Sequence, residues 1–242
     1  MLNIVCLKWG TKYGPEYVNR LYAMCKKFYT NDFKFYCATD DSNGIRSEVN
    51  ILDLKLFQIP DGKWGGKVFT GEKINLINYF NEKTLLLDLD ILILNDITEF
   101  VDSIELKDKA YFIRNTWANQ DNIKRYYGSI TCDVNSSFVI GNKASVYILR
   151  GLLFNKDYDY YALKYRSLDK TLFYRFQDDI KFHEDKKLVY SFNGGASWPD
   201  DMEIGKYRPD YKVCLFNNSH GAGDDIHECD TTWAIEYWES FN

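Results

Sequence analysis

The chain has only three histidines, no Cys-x-x-Cys pair, no excess of positive charge and no apolar run near 18 residues. Each absence closes a class of function. The six cysteines, Cys6, Cys25, Cys37, Cys132, Cys214 and Cys229, lie far apart. Zinc-ligand spacing is therefore missing, and the thiols are those expected of a reduced, cytoplasmic protein. A net charge of -5 argues against non-specific nucleic-acid binding, which needs a basic surface to release counterions. Without a long apolar run no transmembrane segment is expected. The opening Met1-Leu2-Asn3-Ile4-Val5-Cys6-Leu7 lacks the basic start and the apolar length of a secretion signal. No internal repeat, linker or low-complexity stretch divides the 242 residues. A soluble cytoplasmic protein is expected, with peripheral contact to a membrane left open.

What is present is a large core and a strongly aromatic composition. Apolar residues make up 45% of the chain, and it has 19 Tyr, 16 Phe and 6 Trp. That is enough for one large α/β domain. Asn3 to Lys8 is a short apolar strand, and Gly14-Pro15 opens a helix that continues to about Tyr29. Phe33 to Ala38 and Val49 to Leu54 follow as strands, and a helix from about Lys67 to Phe80 leads into the apolar run Leu85 to Leu94. Such alternation predicts a parallel, Rossmann-like sheet, whose ligands sit at the carboxyl ends of the strands. Those ends carry Trp9 and Tyr13, Thr39 and Asp40, and the pair Asp88 and Asp90. Further on, Ala110 to Arg114 and Ser137 to Gly141 read as strands, and Ala144 to Leu153 and Leu172 to Ile180 as helices.

Asp88 and Asp90 restrict the chemistry most. In a strand, residues two apart face the same side, so both carboxylates should emerge together from a stretch that is apolar on either flank. Unpaired acids there would cost several kcal/mol each, and one would stay protonated unless a cation neutralised both. A hard divalent ion, Mn2+ or Mg2+, suits such oxygen ligands.

The strand-two loop Thr39-Asp40-Asp41, the helix bearing Lys73, and Thr84-Leu85-Leu86-Leu87-Asp88-Leu89-Asp90 with its apolar continuation together resemble the GT-A glycosyltransferases. Within that group the chain is most similar to the glycogenin and lipopolysaccharide galactosyltransferase type. The resemblance implies a single GT-A domain over residues 1–242 with a mixed central sheet. Residues 1–100 would form the nucleotide-sugar-binding half, and 101–242 the acceptor half with a metal-binding tail. It implies a UDP-sugar donor, a glycan, lipid or protein acceptor bearing a hydroxyl, and retention of anomeric configuration. Asp88, Asp90 and His220 would hold the metal, Asp88 also meeting the ribose. Asn135 and Ser136, in Asp133-Val134-Asn135-Ser136-Ser137, resemble the family's Asn-Ser-Gly segment near the donor sugar, with Ser137 where glycine is usual. Gln177-Asp178-Asp179 resembles its Asp-Gln segment, so Asp178 and Asp179 are the candidate catalytic acids, and either could instead act as the base of an inverting reaction. His220-Gly221 matches the terminal His-Gly, but Ala222-Gly223-Asp224-Asp225 replaces the usual basic segment.

Lys67 after Gly65-Gly66, and Lys73, are the cations that could stand in for it at the diphosphate. Trp9 and Tyr13 could flank the nucleobase, while Thr39 and Asp40 bond its edge or the ribose. Acceptor contacts would come from Trp117, Tyr126, Tyr127 and Trp198. Two other functions remain open: a sugar nucleotidyltransferase, disfavoured by a strand-one loop with two glycines and no arginine, and a carbohydrate-binding or interaction module, which leaves Asp88 and Asp90 unexplained.

Overall fold

The computed structural model describes residues 1–57, 70–115, 132–154, 158–165, 167–192, 205–216, 226 and 232–242. In chain order the elements are β1 (Leu2–Lys8), α1 (Pro15–Phe28), β2 (Phe33–Thr39), β3 (Asn50–Asp53), α2 (Glu72–Tyr79), β4 (Thr84–Leu87), β5 (Ile91–Ile93) and α3 (Thr98–Ser103). They continue with β6 (Tyr111–Arg114), β7 (Val134–Gly141), α4 (Lys143–Leu153), α5 (Tyr158–Tyr165), α6 (Leu168–Arg175), β8 (Lys181–Phe182), β9 (Val189–Ser191), β10 (Val213–Leu215) and α7 (Thr232–Glu239).

Seven strands form the central sheet in the order β3-β2-β1-β4-β7-β6-β8. β1 runs parallel to β2 and β4, whereas β7 is antiparallel to β4 and β6. The sheet is therefore mixed, as the resemblance implied. β1 is buried along its whole length, which explains its continuous apolar sequence: helices cover both faces. Ile4 and Cys6 point into one core with residues of α1, α3 and α7, and Val5 and Leu7 into a second with α2, α4, α5 and α6. The described cysteines are free thiols.

The apolar run Leu85 to Leu94 is not one strand. β4 ends at Leu87, and β5 joins a second sheet of three strands, β5-β10-β9, with Leu215 opposite Ile91. Residues 88–90 are the joint between the two sheets. Among the described residues no helix is long and apolar enough to cross a membrane.

Candidate functional site

The carboxyl ends of β1, β2 and β4 and the amino end of β7 lie at one edge, because Lys8 pairs with Thr39 and Leu87 with Phe138. Asp88 and Asp90 emerge there. The Asp88 N–H donates to the Ser137 carbonyl (3.0 Å), and the Asp90 carbonyl accepts from the Phe216 N–H (3.0 Å). The joint is thus pinned to the main sheet on one side and to β10 on the other.

Lys73, in the first turn of α2, is buried and reaches Asp88 Oδ1 at 2.5 Å. It also donates to the carbonyl and the hydroxyl of Ser136, each at 3.2 Å. Burial pulls the Lys73 ammonium down, but Asp88 and then Asp169 more than offset it, so its pKa lies above the usual lysine value. Asp90 feels Lys73 and Lys12 more weakly. Burial first, and the neighbouring Asp88 second, push its carboxyl up to about 7. Two acids that feel each other, in a site that favours protonation of Asp90, are hard-oxygen donors of the kind a divalent cation takes. The Tyr13 hydroxyl donates to Asp90 Oδ2 at 3.3 Å.

The loops around the pair are tied together. The Gly10 N–H donates to both Asp40 carboxylate oxygens (3.0 and 3.2 Å), with Gly10 at φ +61, the left-handed region that suits glycine. Thr39 is buried and its hydroxyl donates to the Asp41 carbonyl (2.9 Å), so it shapes the loop and does not project from it. Asn135 Oδ1 accepts from the Ser137 N–H (2.8 Å), shaping the turn into β7. Trp9 packs half-buried against the second core. Of the sequence candidates, Lys73 is in direct contact with Asp88 and Ser136, and Tyr13 with Asp90. Thr39, Asp40, Asn135 and Trp9 line the same edge.

Asp178 and Asp179 are not brought there. They sit in a short 3-10 turn ahead of β8, which runs parallel to β6 with Lys181 beside Tyr111. This is the opposite edge of the sheet, where Lys109 donates to the Asp178 carbonyl at 2.5 Å. The predicted helix Leu172 to Ile180 ends at Arg175 and begins earlier, because Ser167 caps it by accepting from the Lys170 N–H (3.2 Å). That earlier start places an unanticipated acid in the site. Asp169, in the first turn of α6, interacts with Lys73 and Ser136. Its Oδ1 is shut off from solvent with no hydrogen-bond partner among the described residues. Burial raises its pKa and Lys73 opposes the rise. The signal available in sequence was Ser167 followed by an acid in a first helical turn.

Lys67 and His220 lie outside the described residues, as do Trp117, Tyr126, Tyr127 and Trp198. The last described residue before His220 is Phe216, which bonds the Asp90 carbonyl. Among the described residues no three His, Cys, Asp or Glu side chains cluster as a metal site. Asp88 and Asp90 are oxygen donors that could hold a hard divalent cation, and a complete set would need a third ligand from elsewhere.

No protein-family model matches the chain, and no curated protein sequence matches it. Solved structures do. The galactosyltransferase LgtC in complex with donor and acceptor sugar analogs superposes at a TM-score of 0.60 with 14% identity, over 98% of this chain and 95% of that one. The fold is that of the GT-A glycosyltransferases. The apo form of the glycosyltransferase GlyE of Streptococcus pneumoniae TIGR4 shares this GT-A fold at a TM-score of 0.61 and 14% identity, over 99% of this chain and 59% of that one. The bifunctional glycosyltransferase WbbM gives 0.55 and 10%, over 98% and 51%. The joint at Asp88 to Asp90 stands at the carboxyl ends of the parallel strands β1, β2 and β4, the edge at which open α/β sheets take their ligands.

Proposed function

We propose that this protein is a metal-dependent glycosyltransferase that moves a sugar from a UDP-sugar to a hydroxyl acceptor with retention of configuration. The observation that carries the reading is the acidic joint: Asp88 and Asp90 stand two residues apart at the carboxyl edge of the sheet, where burial and the neighbouring Asp88 push the Asp90 carboxyl up to about 7. Asp88 and Asp90 would hold Mn2+ or Mg2+, which would supply positive charge to stabilise a departing diphosphate.

This chain's own groups do the rest. Asp88 and Asp90 are the ligands, with His220 as third. Lys73 holds Asp88 in place and supplies positive charge beside the diphosphate. Tyr13 orients Asp90 through its hydroxyl. The Gly10–Asp40 link joins the two loops that would frame the nucleoside. Because Asp169 lies in this cluster and Asp178 and Asp179 lie at the far edge, Asp169 is the carboxylate best placed toward the donor sugar. The acceptor, whether glycan, lipid or protein, follows from the same reading without being specified by it.

Calorimetric titration of UDP and of GDP, first with Mn2+ and then with excess EDTA, tests this. UDP binding should require the metal, and Asp90→Asn should weaken it by at least about tenfold. Equal UDP affinity with and without metal, or unchanged affinity in Asp90→Asn, would overturn the proposal.

A further inference from the structure

Helices α4, α5 and α6 cover one face of the central sheet and bury Val146, Leu149, Tyr161, Leu168 and Leu172 in the second core. Their outer sides are unlike those of ordinary surface helices, which turn charge toward water. Tyr147 is 71% exposed and Ile148 60%, and Tyr160 and Tyr174 are more than half exposed. None of the large exposed hydrophobic side chains of the described residues belongs to α1, α3 or α7, on the other face. On α4 the outward stripe Ala144, Tyr147, Ile148 and Gly151 lies opposite the buried one. This helix is apolar on two sides.

Charge on the same layer is equally one-sided. Positions 143 to 175 hold seven Lys or Arg against three Asp, a net +4 in a chain of net -5. Among the side chains described on these helices the exposed charges are Lys143, Arg150, Lys164, Lys170 and Arg175, all cations. Asp169, the described acid, turns inward to Lys73. Lys164 donates to the Tyr160 hydroxyl (2.7 Å) and lies 5.3 Å from the Tyr165 ring centre, so cation and aromatic are interleaved on the surface.

We infer that the outer face of α4 to α6 docks on an anionic lipid surface. Exposed tyrosines and an isoleucine suit the boundary between headgroups and acyl chains, where an aromatic ring is half in apolar and half in wet surroundings. Lys and Arg among them meet anionic headgroups while their stems lie along apolar surface. A nucleic acid would reward the cations but not Ile148. The remainder of the chain, at net -9 once the +4 segment is set aside, is repelled by the same surface. Orientation is thereby imposed: the sheet face bearing α1 turns away, and α6, whose first turn carries Asp169, sets the candidate site beside the lipid.

The test is sedimentation of the full chain with vesicles of phosphatidylglycerol and of phosphatidylcholine. Binding is expected to the anionic vesicles, to be absent on the neutral ones, and to fall as added salt shortens the Debye length. Tyr147→Ser/Ile148→Ser and Lys143→Glu/Lys170→Glu should each weaken it by at least about tenfold. Both pairs are exposed, and both lysines lie in first helical turns, where a carboxylate suits the helix dipole. Each variant should therefore fold, as circular dichroism would show. No binding to anionic vesicles, or equal binding by the variants, would overturn the inference. So would self-association lost with Tyr147→Ser in a chain that ignores lipid, since the occupant would then be a second copy. UDP binding is read separately and does not depend on this face.

Discussion

Lys73 is the residue on which the site's charge balance turns, since it touches Asp88 and Ser136 and faces Asp169. Lys73→Met leaves two acids without their counter-ion. Removing one partner of a buried pair costs 3–5 kcal/mol, so with Asp88 26% exposed a loss of about 2–3 kcal/mol is expected in urea unfolding. The double variant Lys73→Met/Asp88→Asn should recover most of it, which a double-mutant cycle measures. His183 offers a different check. It is buried against Phe100, Tyr111 and Phe138 at ring-centre distances of 5.0, 5.4 and 6.0 Å, and neither ring nitrogen has a partner among the described residues. Burial lowers its pKa to about 3. The unfolded chain therefore takes up a proton below about pH 6.5 that the folded chain refuses until near pH 3, and stability falls as pH falls through that window. Between pH 7 and pH 5 this residue alone should cost about 2 kcal/mol. His183→Leu should show that much less pH dependence than the parent.

Among the elements, the helices show which local signals carried through the fold. α1 begins where Gly14-Pro15 indicated, with Pro15 in its first turn and Tyr17, Leu21 and Met24 buried. α4 has a capping box: Asn142 Oδ1 accepts from the Ser145 N–H (2.9 Å), and Ser145 Oγ accepts from the Asn142 N–H (2.8 Å). Asn142→Ala should lower stability by about 1 kcal/mol without altering UDP affinity, a loss visible as a lowered Tm. α6 starts at Leu168 and not at the predicted Leu172, because the Ser167 hydroxyl caps it four residues earlier. α7 carried no single stripe to find. It buries Ala234 and Trp238 but also half-buries Trp233, Ile235 and Tyr237, so apolar side chains surround much of the helix.

At the scale of the whole molecule, α7 closes the fold back onto its beginning. Trp238 is buried with its ring 4.7 Å from that of Tyr17, and Arg20 lies 3.9 Å from its ring centre. Trp238→Ala should cost about 3–5 kcal/mol in chemical denaturation, the usual loss for a large buried aromatic. The chain's own residues determined the alternating strands and helices of the first half, the buried sheet, and the acidity of the edge at Asp88 and Asp90. Those features follow from local periodicity and from the cost of placing carboxylates in an apolar run, and both are written in neighbouring residues. Only the tertiary structure decided that Leu85 to Leu94 divides between two sheets, because a continuous apolar run looks the same whether it stays in one sheet or crosses into another. It also decided which acids share the site. Asp169 lies 81 positions after Asp88 in the chain yet faces the same lysine, while Asp178, nine positions after Asp169, lands at the far edge because the intervening helix carries the chain across the sheet.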